Sequence, residues 1–85
     1  MTIDAAVVKE QGVRFAVIAV KRSAFSTASR DGVARSFSAV FPGIPIILMH
    51  QDGRGIPSYF GWQDIVRFLA SVPLSALPWR RYRLR

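Results

Sequence analysis

Val13-Arg14-Phe15-Ala16-Val17-Ile18-Ala19-Val20 carries a single charge in eight residues. It is rich in β-branched side chains, and its apolar residues run on instead of alternating with polar ones. Such a run is the signature of a strand covered on both faces. Gly12 precedes it and Lys21–Ala24 closes it. Ile44–His50 is a second run of the same kind, with Pro45 near its start, where a missing N–H is tolerated. Between the two, Ser26-Thr27-Ala28-Ser29 offers several helix N-caps. Val33, Phe37, Val40 and Phe41 then recur at helical spacing, with Arg30, Arg35, Ser36 and Ser38 on the opposite side. Pro42-Gly43 ends the helix. A strand, a helix and a strand joined by short loops predict a parallel pair with a right-handed crossover.

Downstream, Asp52-Gly53 is a hairpin signal, lengthened by Arg54-Gly55. Ile56–Phe60 reads as a third, antiparallel strand that Pro57 confines to the sheet edge. Gly61 breaks the extended chain. Ile65, Phe68, Leu69 and Val72 line one face of a second helix, with Asp64 in its first turn and Pro73 as its stop. The expected fold is α/β, of order β-α-β-β-α, with a small mixed sheet three strands wide and helices on both faces. A C-terminal extra edge strand is a further option. The alternative is a ferredoxin-like α+β arrangement, which keeps its helices on one face and its second strand at an edge. The oilier second strand and the Pro57-Ser58 pair in the third lean against it. The chain reads as a single domain over 1–85. Its parts are an N-terminal segment, 1–11, a folded core, 12–73, and a basic aromatic tail, 74–85. The expected core comprises Phe15, Val17, Ile18, Val20, Val33, Phe37, Val40, Ile46, Leu48, Ile65, Phe68 and Leu69.

Composition narrows the chemistry. The 85 residues contain no cysteine, which excludes disulfides and thiolate metal sites, and the hydrophobic share of 51% implies a packed core. Twelve Lys and Arg against five Asp and Glu give a net charge of +7, which favours anionic partners. Met1–Gln11 lacks the grammar of a signal peptide, and the longest apolar runs fall far short of the ~20 residues of a membrane span. The expectation is a cytoplasmic protein without a transmembrane segment.

Pro45, Ile46-Ile47-Leu48-Met49, Asp52-Gly53, Tyr59-Phe60-Gly61 and Ile65-Val66-Arg67-Phe68-Leu69 together resemble the C-terminal part of a thioredoxin-like domain over residues 42–72. In that family a cis-proline precedes a hydrophobic strand, followed by a hairpin, a glycine and a closing helix. Ser26-Thr27-Ala28-Ser29 stands where the family carries Cys-x-x-Cys, so the resemblance implies no redox activity here. The pattern Tyr-Phe-Gly, Asp-Ile-Val and Pro-Trp-Arg-Arg-Tyr also resembles a small bacterial family, and implies no activity either.

Three groups of residues are candidates for function. Open α/β sheets bind ligands at the carboxyl ends of parallel strands. There the fold would gather Lys21, Arg22, Ser23, Ser26 and Ser29 from one loop, and His50, Asp52 and Arg54 from the other. With the helix N–H groups, these make a candidate anion site. The competing reading is ordinary helix caps and solvated charges. His50 is the only imidazole, and a hydrolytic reading would pair it with Ser26 or Ser29 and Asp52. No nucleophile elbow, metal-ligand spacing or phosphate-binding glycine loop accompanies it. No catalytic residue, cofactor or metal site is therefore expected. The second group is Trp79, Arg80, Arg81, Tyr82, Arg83 and Arg85, which suits phosphates and unpaired bases, and so nucleic acid. Its competing reading is that Trp79, Tyr82 or Leu84 folds back onto the core. The third is an unprotected sheet edge, with Tyr59, Phe60 and Trp62 clustered at a turn and a mean hydropathy of +0.24. Of these readings, a non-enzymatic self-association or protein-interaction module ranks first, as a homo-oligomer or with another protein. Nucleic-acid binding is the alternative.

Overall fold

The computed structural model describes residues 2–84. The elements are β1 (Thr2–Glu10), β2 (Val13–Ala19), α1 (Arg22–Phe25), α2 (Arg30–Ser38), β3 (Ile46–Gln51), β4 (Pro57–Phe60), α3 (Gln63–Leu69), a 3-10 turn (Leu74–Ala76) and β5 (Trp79–Arg83). They build one mixed sheet of five strands in the order β4-β3-β2-β1-β5. β2 and β3 run parallel and β4 pairs antiparallel with β3, as the apolar runs and the Asp52 hairpin imply. The sheet is two strands wider than the three expected, and one of the two is the C-terminal edge strand that the sequence left as an option. The N-terminal segment supplies β1, which lies inside the sheet between β2 and β5 and is antiparallel to both. The tail supplies the edge strand β5.

β1 and β2 are joined by a two-residue turn, Gln11-Gly12, whose φ angles of 50° and 81° are both positive. Glu10 and Val13 close that turn as directly opposed partners. A tight hairpin with a right-handed strand twist needs this backbone, and glycine adopts it without a Cβ clash. The hairpin between β3 and β4 is longer. Gly55 N–H donates to the Asp52 carbonyl at 3.0 Å and Asp52 N–H to the Ile56 carbonyl at 3.0 Å. Gly55, at φ 81°, absorbs the left-handed step.

Helices cover both faces, which excludes the ferredoxin-like arrangement. On one face, Ala6, Phe15, Val17, Ile47 and Met49 pack under Ile65 and Leu69 of α3 and under Leu77. Phe68 meets Phe15 edge-on at 6.4 Å between ring centroids. On the other face, Ala5, Ala16, Ile18 and Leu48 pack under Val33 and Phe37 of α2. The α2 layer reaches from edge to edge of the sheet. The Arg30 guanidinium lies 4.3 Å from the Phe60 ring centre in β4, and Phe41 meets Tyr82 of β5 edge-on at 5.3 Å.

Two details of the first helical region differ from the sequence reading. The segment after β2 forms a separate four-residue helix, α1, and α2 starts only at Arg30. Val40 is exposed, contrary to its place in the expected core, because α2 ends at Ser38 and the chain turns there. Phe41 and Ile44 fill that part of the core instead. All described peptide bonds are trans, including those preceding Pro45 and Pro57. Gly61 makes the turn out of β4: a Cβ there would collide with the Ile47 side chain and lie 3.1 Å from the Ile46 carbonyl oxygen.

Candidate functional site

At the carboxyl ends of β2 and β3, Lys21, Arg22, Ser23, Ser26, Ser29 and Arg54 are exposed, and His50 is half-buried. His50 lies beside Phe25 of α1, ring centroids 5.9 Å apart. Ser29 stands at the N-cap of α2 without a side-chain capping bond. The Asp52 carboxylate accepts from Arg54 N–H at 2.8 Å and Ile56 N–H at 2.9 Å, so it organises its own hairpin loop. Lys21 and Ser23 border an open depression of about 420 Å³ with Thr2, Asp4, Val33 and Phe37. Arg22, Ser26, Ser29, His50 and Arg54 do not border it.

The basic aromatic segment is built into the sheet. Alternation along β5 sends Trp79 to the α3 face and Tyr82 to the α2 face, each packed against the buried cluster there. The Trp79 indole N–H donates to the Leu74 carbonyl at 2.8 Å. Both aromatic rings are therefore packed against the core and only partly exposed, which limits the face on which an unpaired base would stack. The arginines project outward. Arg80, Arg81 and Arg83 are exposed. Arg81 Nε donates to Asp4 Oδ1 of neighbouring β1 at 3.2 Å. Arg85 lies outside the described residues.

The opposite edge has another character. From Ile56 to Trp62 the chain reads Ile-Pro-Ser-Tyr-Phe-Gly-Trp, with no charged side chain. Ile56, before β4, is 55% exposed and Trp62, after it, 65%. Trp62 is thus the exposed member of the Tyr59, Phe60, Trp62 group; Ile56 gave no sequence signal, because it reads as an ordinary strand residue. The bond from Asp52 to Ile56 fixes the alternation of the β3–β4 ladder. It turns the backbone groups of Ser58 and Phe60 toward β3 and those of Pro57 and Tyr59 outward. Pro57, with no N–H, occupies an outward position where no ladder bond is lost. Tyr59 is half-buried on the α3 face; its hydroxyl is enclosed without a hydrogen-bond partner, and burial raises its pKa above the usual tyrosine value.

No helix among the described residues is long and apolar enough to cross a membrane. No protein-family model, no curated protein and no solved structure matches the chain.

Proposed function

We propose that this protein is a non-enzymatic self-association module that pairs with a second copy of itself through the β4 edge. The observation that carries the reading is the uncharged stretch 56–62, with its two exposed apolar side chains at either end of an unpaired edge strand. An edge strand recruits another strand by backbone hydrogen bonding, and homodimers most often form about a two-fold axis. A two-fold antiparallel pairing centred on Tyr59 joins Tyr59 N–H and C=O reciprocally across the axis. The same register directs Gly61 N–H to the Pro57 carbonyl of the other copy. It also brings Ile56 of each copy toward Trp62 of the other, so the contact forms twice and each exposed apolar side chain is covered. No like charges meet across the axis.

Light scattering after size exclusion, over a concentration series reaching millimolar protein, tests this. The expected result is a concentration-dependent dimer that Trp62→Lys reduces to monomer while circular dichroism stays unchanged. A monomer at every concentration would sink the proposal. So would a dimer that survives both Trp62→Lys and Ile56→Lys.

A further inference from the structure

The edge strand β5 presents a second, chemically different docking line, and we infer that it accepts an extended acidic peptide as an added strand. The closing pair of the two-residue hairpin, Glu10 and Val13, sets the hydrogen-bond alternation along β1. In that alternation Ala5 and Ile3 turn their backbone groups toward β5, where they face Arg80 and Tyr82. Arg81 and Arg83 consequently point their N–H and C=O groups away from the sheet, and no strand of the described residues covers them. Their side chains also share one face, the face of Thr2 and Asp4 opposite them in β1. Arg81 and Arg83 thus combine outward backbone groups with cationic side chains two residues apart, a spacing of about 7 Å along a strand.

The charge pattern selects the occupant. A second copy of β5 would set arginines against arginines, and like charges directly opposed across a ladder are destabilising. A peptide with Asp or Glu at alternate positions would place a carboxylate beside each of Arg81 and Arg83. The Asp4–Arg81 pair already makes this cross-strand contact on the inner side, and it engages only the guanidinium Nε. The two terminal nitrogens of that guanidinium remain for a carboxylate on the outer side. A single-stranded nucleic acid is the weaker fit, because Trp79 and Tyr82, the aromatic residues of the strand, pack against the apolar clusters of the two faces. Pairing at β5 leaves β4 free, so the two edges act independently.

Fluorescence anisotropy with a labelled Val-Glu-Val-Glu-Val-Glu-Val peptide tests the inference on the intact chain. Binding should weaken about tenfold when Gln replaces Glu in the peptide, and by a similar factor in the Arg81→Gln/Arg83→Gln protein. N-methylation of alternate backbone nitrogens should abolish it with every charge retained, because a strand pairing needs those donors. Trp62→Lys should leave it unchanged, which separates this site from the β4 edge. No binding, equal binding of the Gln peptide, or full binding of the N-methylated peptide would each overturn the inference. Tighter binding of oligo-dT than of the Glu peptide, lost with Arg81 and Arg83, would replace it with a nucleic-acid edge.

Discussion

Each edge of the sheet has a tryptophan, and the two are used in opposite ways. Trp79, in β5, is half-buried and hydrogen-bonded to the Leu74 carbonyl, so it fixes its strand to the domain. Trp62, just past β4, is 65% exposed and stands outside both apolar clusters. The surrounding charges differ as well: three arginines on β5, none on β4. An open edge is an aggregation hazard that proteins manage by charge, by proline or by shortness. Here β5 is guarded by charge, while β4 relies on Pro57 and a length of four residues. Charge excludes a like partner and admits an oppositely charged one. Shortness limits how far a partner can pair without setting its sign.

The largest expected contrast lies between the tryptophans themselves. Trp79→Ala removes a packed ring and one of the two hydrogen bonds that the Leu74 carbonyl accepts, leaving the one from Leu77 N–H, and should cost about 3 kcal/mol in urea unfolding. Trp62→Ala, measured at a concentration low enough to keep the chain monomeric, should stay within about 0.5 kcal/mol of the parent. Equal losses would mean that Trp62 also anchors the fold, and the distinction between the two edges would collapse.

The tyrosines sharpen the comparison at a smaller scale. Tyr82 meets Phe41 edge-on, whereas Tyr59 encloses a hydroxyl that has no partner. Tyr59→Phe should therefore stabilise the protein by about 1 kcal/mol, since it removes a buried polar group left without a hydrogen bond. Burial raises the Tyr59 pKa in the folded state, so the folded protein holds this proton more tightly than the unfolded chain. Stability should then fall as pH rises above the ordinary tyrosine value, and the Phe variant should lose that component of the fall. Denaturant melts on either side of that value, for both proteins, measure the difference. An equal alkaline decline in parent and variant would assign it to another group.

The parallel pair, the β3–β4 hairpin and the two helix-covered faces were legible in the sequence because each rests on a local signal. These are the continuous apolar runs at 13–20 and 44–50, Asp52-Gly53 followed by Pro57, and the spacing of Ile65, Phe68 and Leu69. β1 was not legible. Its apolar residues are small or interrupted by Asp4, and its turn is Gln11-Gly12, where Asn or Asp would be the usual first residue. Partners supplied by β2 and β5 decide that segment, beyond the reach of any window over 1–11. The same holds for the edges: the inward commitment of Trp79 and Tyr82 depends on the cluster each meets. Gln11→Asn should raise stability by roughly 0.5–1 kcal/mol, because asparagine enters the left-handed region more readily. A loss on that substitution would show that Gln11 contributes a contact outside the turn.

The smallest effect should come from the one ion pair that, among the described residues, ties β5 to β1. Arg81 and Asp4 are both exposed, and their contact is a single 3.2 Å bond rather than a bidentate clasp. Exposed pairs of this kind contribute between nothing and about 1 kcal/mol and weaken with salt. Asp4→Asn should accordingly change unfolding free energy by less than about 0.5 kcal/mol, and the difference should vanish at high ionic strength. Packing would then be what holds β5, through Trp79 and Tyr82, with its arginine side chains free to face outward. A loss approaching that of Trp79→Ala would reverse this assignment. Arg81 would become an anchor of the fold, and the β5 edge would have only Arg83 to offer a carboxylate on that face.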